Sequence, residues 1–380
     1  MRSMKSGIFN RRSSIIVCGL FLCLLSGTSS AQDQLDKNKY QRCSIINMMI
    51  EHPMYMYNDE IAAAFRSLPA QDRFNDHSLG VNVVKFAAAD FTDQTENIYS
   101  FIEQTHLGNR AIAKWFGWNK ADGSFNMELV KQRGFYNANL FDRELAEATL
   151  RGNSILYDAG EKLISNTYLI MHDICYSGKY SAREGEEKGF TGDKRKFQVT
   201  ITSYIFQLEW TDDDLNNFYY NYYKGAEDFI HIPEQYRFVF RAKVVTRYSD
   251  QTYHLSQPEL IKKTVARCLD INIAKLQRAY PDFQIKATLL SGETLRADIG
   301  LKEGITEDDL FEVLLKHEDE RGIVSYERVG IIKPVAGQIW DNRYMAMEDK
   351  LQNASIGFTS FEKVSGTDFL SGMLIREINR

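Results

Sequence analysis

Cysteines and paired histidine spacings are scarce in this 380-residue chain, and each scarcity removes a class of function. Of five cysteines, Cys18 and Cys23 fall in an N-terminal apolar run. Cys43, Cys175 and Cys268 remain, an odd number without CxxC spacing. That excludes a disulfide-rich framework and leaves room for one bridge at most. Cys175 follows an apolar strand-like run and Cys268 lies in an apolar helical stripe, so both are expected as buried small hydrophobes. The seven histidines (52, 77, 106, 172, 231, 254 and 317) show no HxH, HExxH or HxxxH spacing that would bring two imidazoles onto one metal. GxGxxG and GxxxxGK[ST] phosphate loops are absent, as is a nucleophile elbow. Neither a cofactor nor a metal is expected.

What is present begins at the N-terminus. Arg2, Lys5, Arg11 and Arg12 precede an uncharged apolar run over 15–25, and Ser29-Ser30-Ala31 follows with small residues at the −3 and −1 positions of a signal-peptidase cut. The run is about half the ~20 residues a permanent transmembrane helix needs. Residues 1–31 are therefore expected to be a cleavable signal peptide, with the exported chain starting at Gln32. Leu22, not a small residue, precedes Cys23, which argues against lipidation. No second run reaches spanning length, so no membrane span is expected in the exported chain. Loss of the four basic residues takes the formal charge from −5 to about −9, unfavourable for nonspecific binding to nucleic acid or an anionic membrane.

Beyond a polar leader over 32–39, periodicity predicts an α+β chain: an N-terminal segment over 32–80, an α/β domain with a mixed sheet over 81–255, a capped helix and connecting strand over 256–290, and a β-rich module over 291–380. Residues 81–87 read as a strand, and 95–116 as one helix with Ile98, Phe101, Ile102, Ile112 and Phe116 inward. A helix over 142–165 carries Leu145, Ala148, Gly152, Ile155, Ala159 and Leu163, with Asp142 as N-cap and small residues suited to close approach to a sheet. Strands follow at 168–171, 197–210 and 236–242, the second changing face near Ser203 and the third antiparallel to it. The charged stretch 183–189 reads as an exposed loop. Ser256-Gln257-Pro258-Glu259 predicts a capping-box start to a helix that ends at Pro281, with Ile261, Val265, Cys268, Leu269, Ile273 and Leu276 on its inner face. Short strands at 283–290, 295–299, 310–315, 323–335, 354–361 and 373–378, punctuated by glycines, predict a small barrel or sandwich.

Chemistry-bearing residues are few. His172-Asp173 ends a buried strand, a place where α/β folds put function, but a catalytic reading there competes with a hydrogen-bonded structural histidine. Asp212-Asp213-Asp214 and Glu307-Asp308-Asp309 suit helix or turn starts better than a calcium loop, whose alternating ligands they lack. Phe218, Tyr219, Tyr220, Tyr222 and Tyr223 are dense enough for a sugar-stacking or partner surface, against the alternative that half the rings pack into the core. Met54-Tyr55-Met56-Tyr57 has the same two readings.

The run Ala297-Asp298-Ile299-Gly300-Leu301-Lys302-Glu303-Gly304, then Leu310-Phe311-Glu312-Val313, then Val329-Gly330-Ile331-Ile332-Lys333-Pro334-Val335 resembles the small β-barrel that ends certain periplasmic flagellar-assembly proteins. The helix carrying Asp158-Ala159-Gly160-Glu161 and the strand after it are similar in outline to the α/β unit those proteins share with the curli-secretion channel. The channel's lipidation cysteine and membrane hairpins are absent here, so a pore is not implied. Together these readings lead to the expectation of an exported, non-enzymatic assembly, scaffold or binding protein of a Gram-negative-type envelope. It would be periplasmic, outer-membrane associated or extracellular, with an envelope protein or a second copy of itself as partner. An exported hydrolase using carboxylates or His172, and a glycan binder using the aromatic segment, are the competing expectations.

Overall fold

The computed structural model describes residues 43–86, 93–138, 143, 146, 152–178, 195–233, 236–318, 324–349 and 352–378. The expected signal peptide, the polar leader, the Asp142 cap, Leu145, Ala148 and the 183–189 loop lie outside the described residues. The fold is α+β: a mixed sheet with helices on both faces, followed by a nearly closed antiparallel, barrel-like sheet.

The first sheet is built from β1 (Ser44–Glu51), β2 (Asn75–Asp76), β3 (Val83–Lys85), β4 (Thr167–Tyr176), β5 (Arg195–Leu208) and β6 (Phe238–Thr252). β1 pairs in parallel with β2 and β3 along one edge and with β4 along the other. β4, β5 and β6 continue as an antiparallel meander. The third strand is antiparallel as expected, but twice as long as its apolar run. The strand read at 81–87 is limited to the three residues of β3.

Strand period 2 sends Phe197, Val199, Ile201 and Ser203 of β5 to one face and Tyr204, Phe206 and Leu208 to the other. The apolar stripe changes face at Ser203, as expected. Both faces of β5 are covered, one side packing at its start and the other at its end, so buried residues cease to alternate while the backbone pleat does not. Cys175 lies within β4 rather than beyond it.

On one face sit α1 (Asn58–Arg66) and α7 (Gln257–Ala279), with Ile61, Phe65, Leu260, Val265 and Cys268 against Met49, Ile174 and Ile201. The opposite face packs α2 (Thr95–Gln104), α3 (Leu107–Trp115), α4 (Glu128–Asn137), α5 (Gly152–Ser165) and the short α6 (Asp212–Asn217) with its aromatic continuation. The helix expected over 95–116 is two helices. His106 takes a left-handed conformation (φ 49°) between them, and the Thr105 hydroxyl donates back to the Phe101 carbonyl at 2.7 Å. The small-residue approach expected between 142–165 and the sheet is made instead to a helix. A Cβ on Gly134 of α4 would stand 1.7 Å from the Leu156 carbonyl oxygen, and one on Gly160 of α5 would stand 2.2 Å from that of Val130.

α7 starts and stops where its signals place it, with Pro258 in the first turn and Pro281 beyond the end. Glu259 Oε2 accepts from both the backbone N–H and the hydroxyl of Ser256. Unlike an amphipathic surface helix, α7 is buried nearly all round, including Lys263, Arg267, Asp270 and Gln277. Connections of the second sheet, at 301–303 and 344–349, cover its polar side.

That sheet runs in the order β7 (Lys286–Thr288), β12 (Leu374–Glu377), β9 (Phe311–Glu318), β10 (Val324–Pro334), β11 (Thr359–Gly366), β8 (Arg296–Ala297). The Leu290 N–H donates to the Arg296 carbonyl at 2.8 Å, which draws the two end strands together around Ile285, Ile299, Phe311, Val313, Ile332, Phe361 and Ile375. Arg73 and Asp298, 2.6 Å apart, tie this barrel to the loop before β2, and Arg278 donates to the Gly304 carbonyl. No helix among the described residues is long and apolar enough to cross a membrane.

Cys43, Cys175 and Cys268 form no disulfide with one another. Burial pushes the Cys175 thiol up to about 11 and the Cys268 thiol up to about 12. At pH 8 both are then almost wholly protonated, and the thiolate is the reactive form. Iodoacetamide at pH 8 should leave Cys175 and Cys268 unmodified in the folded protein and modify both in urea, as read by peptide mass spectrometry. Rapid native labelling of Cys268 would contradict the packing of α7 on β5.

Candidate functional site: a polar cleft under the barrel

Successive residues in a strand face opposite ways, and this separates the pair that the sequence places side by side. His172 sits mid-strand and points toward α7, whereas Asp173 points to the other face. There Asp173 Oδ1 meets His52 Nε2 at 3.1 Å, beyond the end of β1. His52 is fully buried and stacks on Tyr55, with ring centroids 4.4 Å apart. The buried partner of Asp173 is thus His52, 121 residues away in the chain, and not its neighbour His172.

His172 Nδ1 lies 2.7 Å from the Ser203 hydroxyl and Nε2 lies 3.4 Å from Asn47 Oδ1. With Asn47 presenting an acceptor, Nε2 carries the proton and Nδ1 accepts from Ser203. Burial pushes the imidazole down to about 3, so it stays neutral through the physiological range. Ser203 is 1 % exposed and lies beneath the imidazole. A serine so placed is out of reach of a substrate, and an imidazole so acidic in its protonated form is a weak general base. What His172 offers is a fixed, uncharged polar floor.

Above that floor opens a cleft of about 280 Å³. Asn47 and His172 form its base, Phe65 and the turn from Leu68 to Gln71 after α1 form one wall, and Ala266, Leu269 and Asp270 of α7 form the second. Lys302, Asn342 and Tyr344 of the barrel close it, with Asp76, Ser78 and Asn82 at the rim. Four separate parts of the fold therefore build it: the strand centre, α1 with its connection to β2, α7 and the barrel. The volume falls just below the ~300–1,000 Å³ typical of drug-sized ligand sites.

Several of these groups are already engaged. Asn342 accepts from the Lys302 backbone N–H at 2.7 Å and donates to Glu303 at 2.8 Å, and Asp76 accepts from the Ser78 N–H at 3.1 Å. Asp270 is different: 9 % exposed, it has no hydrogen-bond or ion-pair partner among the described residues. Burial pushes its carboxyl up to about 7. Glu303 adds to that, while Lys302, Arg267 and Arg343 pull the other way.

The aromatic segment divides. Phe218 is fully buried, stacked 4.0 Å from Phe116, and Tyr219 is half-buried with its hydroxyl 3.2 Å from Glu161. Tyr222 packs against the same core, while Tyr220 is 85 % exposed and Tyr223 is 39 % exposed. The segment winds as a π-helix, Phe218–Tyr222, in which the Tyr223 N–H reaches the Phe218 carbonyl at 3.0 Å. That wider turn lets Phe218, Tyr219 and Tyr222 crowd inward together. A two-ring outer surface remains. Met54 and Met56 are exposed, while Tyr57 packs edge-on against Tyr176 and Phe197.

The acidic runs close helices and turns. Asp214 Oδ2 accepts from the Thr211 N–H at 2.8 Å in a capping box, Asp309 accepts from the Thr306 N–H at 2.6 Å, and Glu307 accepts from the Gly337 N–H at 2.8 Å. Among the described residues no three His, Cys, Asp or Glu side chains come close enough to hold a metal ion. Sequence reasoning passed over Asp270 and Lys302, since a lone acid on a helix and a lone lysine after a strand read as surface charges. The signal that was available is that Asp270 falls between Leu269 and Ile273 of the apolar stripe. No protein-family model matches this chain, and no curated protein matches it significantly in sequence.

Proposed function

We propose that the chain is an exported, non-enzymatic binding protein of the cell envelope, with the cleft between α1, α7 and the barrel as its recognition site. The observation that carries this reading is the convergence of uncommitted polar side chains, foremost the nearly buried Asp270, on one concave space. A buried polar group without a partner is costly to keep, and a bound molecule supplies the partner. The neutral His172 and the shielded Ser203 support binding over bond cleavage. Export rests on the basic, apolar and small-residue pattern of residues 1–31, and the envelope setting on the resemblance of the C-terminal stretch to periplasmic assembly barrels.

The test is a thermal-shift screen of the purified protein against a small-metabolite library, in parallel with Ala266→Trp, which fills the cleft from α7. A ligand present at 100 times its Kd stabilises by about 2.7 kcal/mol, a shift of several degrees. The expected result is a stabilising compound whose effect disappears in A266W while the circular dichroism spectrum is kept. Hits that stabilise A266W equally would place recognition elsewhere. A screen with no hit, together with native mass spectrometry showing no co-purified small molecule, would sink the reading.

A further inference from the structure

Four charged side chains surround Asp270, and their commitments leave one open. Arg267 is engaged by Asp349 at 2.5 Å and by the Tyr344 carbonyl at 3.2 Å. Arg343 is engaged by Asp341 at 2.9 and 2.7 Å. Glu303 accepts from the Gly300 N–H at 2.7 Å and from Asn342. Of these four, Lys302 has an ammonium with no carboxylate of the described residues within ion-pair distance, and it lines the same cleft. Asp270 and Lys302 do not pair with each other, so an unmatched negative and an unmatched positive charge border a single space.

We propose that this cleft takes a small zwitterion of the free α-amino acid type, its ammonium on Asp270 and its carboxylate on Lys302; the assignment rests on the binding-protein reading above. A purely anionic ligand would face Asp270 and, at the rim, Asp76. One that is purely cationic would face Lys302 with Arg267 and Arg343 behind it. A neutral polyol would leave both charges with hydroxyls alone. A zwitterion matches both, and pairing is what makes a buried charge tolerable. The apolar wall of Phe65, Leu68 and Leu269 has room for an aliphatic side chain, and Asn47 and His172 cap its end. The cleft volume suits one free amino acid and excludes a polymer.

The ionisation of Asp270 gives a readout that a merely structural aspartate would not share. The folded carboxyl titrates near 7, above its ordinary range, so below that pH an ammonium ligand must displace a proton. His172, which stays neutral, takes no part in this titration; the other charged groups that face Asp270 are Lys302, Glu303, Arg267 and Arg343.

The experiment is isothermal titration of the twenty proteinogenic amino acids at pH 6.5, in buffers of different ionisation heat. Decarboxylated and N-acetylated forms of each hit, and a panel of monosaccharides, are run as comparisons. At least one amino acid is expected to bind with release of up to one proton. Removing its carboxylate or blocking its ammonium is expected to weaken binding 100-fold or more. Asp270→Asn and Lys302→Met should each weaken it at least 50-fold. As a check on folding, D270N should have a higher Tm than the wild type at pH 8, where the unpaired carboxylate is ionised, and the difference should shrink as pH falls through 7 toward the unfolded value of ~4. Amino-acid binding that survives both substitutions overturns the proposal. Monosaccharide binding lost in A266W, with no amino acid bound, overturns the zwitterion and leaves the binding cleft standing. No binding by either class, with no metabolite hit in the thermal screen, overturns both.

Discussion

Asp349→Ala is expected to lower the unfolding free energy by about 3–5 kcal/mol, the usual consequence of stripping one partner from a buried ion pair. Two cations depend on that carboxylate. Lys263 Nζ lies 2.5 Å from Oδ1 and Arg267 Nη2 lies 2.5 Å from Oδ2, and each cationic side chain is only 5 % exposed. Asp250 stands farther off, at 3.5 Å from Lys263 and 3.7 Å from Arg267, and offers a single oxygen to both. It does not neutralise two buried cations alone. A surface pair would contribute only ~0–1 kcal/mol, so the measured value decides whether α7 is truly enclosed by the barrel. Asp349→Asn, which keeps the shape and one acceptor oxygen, should fall between the wild type and alanine.

The pH dependence has a definite sign. Burial by itself would raise the Asp349 carboxyl, but the hydrogen bonds from Lys263 and Arg267 outweigh it and hold the group below its ordinary value. A depressed folded pKa contributes stability above the unfolded value of ~4, and that stability is lost as pH falls through the folded one. Urea denaturation should therefore show the D349A deficit in full at pH 7 and a smaller deficit at pH 3. A loss at pH 7 below about 1 kcal/mol would mean that this contact behaves as a surface pair.

The parts of the fold that were legible in the sequence are those set by local chemistry. The Ser256–Glu259 start and Pro281 stop of α7 were readable because a cap and a proline act within one turn. Most barrel strands were readable because alternation and turn glycines are properties of a few adjacent residues, but the one expected over 354–361 is displaced to Thr359–Gly366. What stayed hidden depends on distant chain. The helix break at His106 has no glycine to announce it and follows from where α3 must dock. The change of face in the apolar stripe of β5 was legible, but its cause, that both faces of the strand are covered, was not. Lys263, Arg267 and Asp270 read as the solvated side of an amphipathic helix, and only the barrel turns that side inward. The cleft is hidden for the same reason: Asn47, His172, Asp270 and Lys302 come from four segments, none with a spacing that marks it. His172 was singled out for its aspartate neighbour, which faces away, and its place in the cleft comes from Asn47 across the strand pair.

The docking that breaks the helix at His106 also sets the second large effect, which Gly108→Ala isolates. Gly108 is helical and fully covered. A Cβ there would stand 1.7 Å from the Tyr236 carbonyl oxygen and 2.5 Å from its carbon, both backbone atoms with no rotamer to escape through. By intrinsic propensity alone, alanine in a helix interior is favoured over glycine by ~1 kcal/mol, so an exposed helix would gain from the change. Here the overpacking penalty of ~1–3 kcal/mol or more opposes it. A further loss comes from the neighbouring side chain. Asn109 donates to the Ile230 carbonyl at 2.8 Å and accepts from the Tyr236 N–H at 3.0 Å, so any retreat of α3 from the 236 backbone breaks buried bonds worth ~1–3 kcal/mol in desolvation. The two costs exceed the propensity gain, and G108A should be destabilised by about 1–5 kcal/mol. Gly108→Ser, larger still and no better accommodated, should lose at least as much. If instead G108A matched or exceeded the wild type in urea denaturation, α3 would have to stand farther from residue 236. The reason given for the break at His106 would then fail with it.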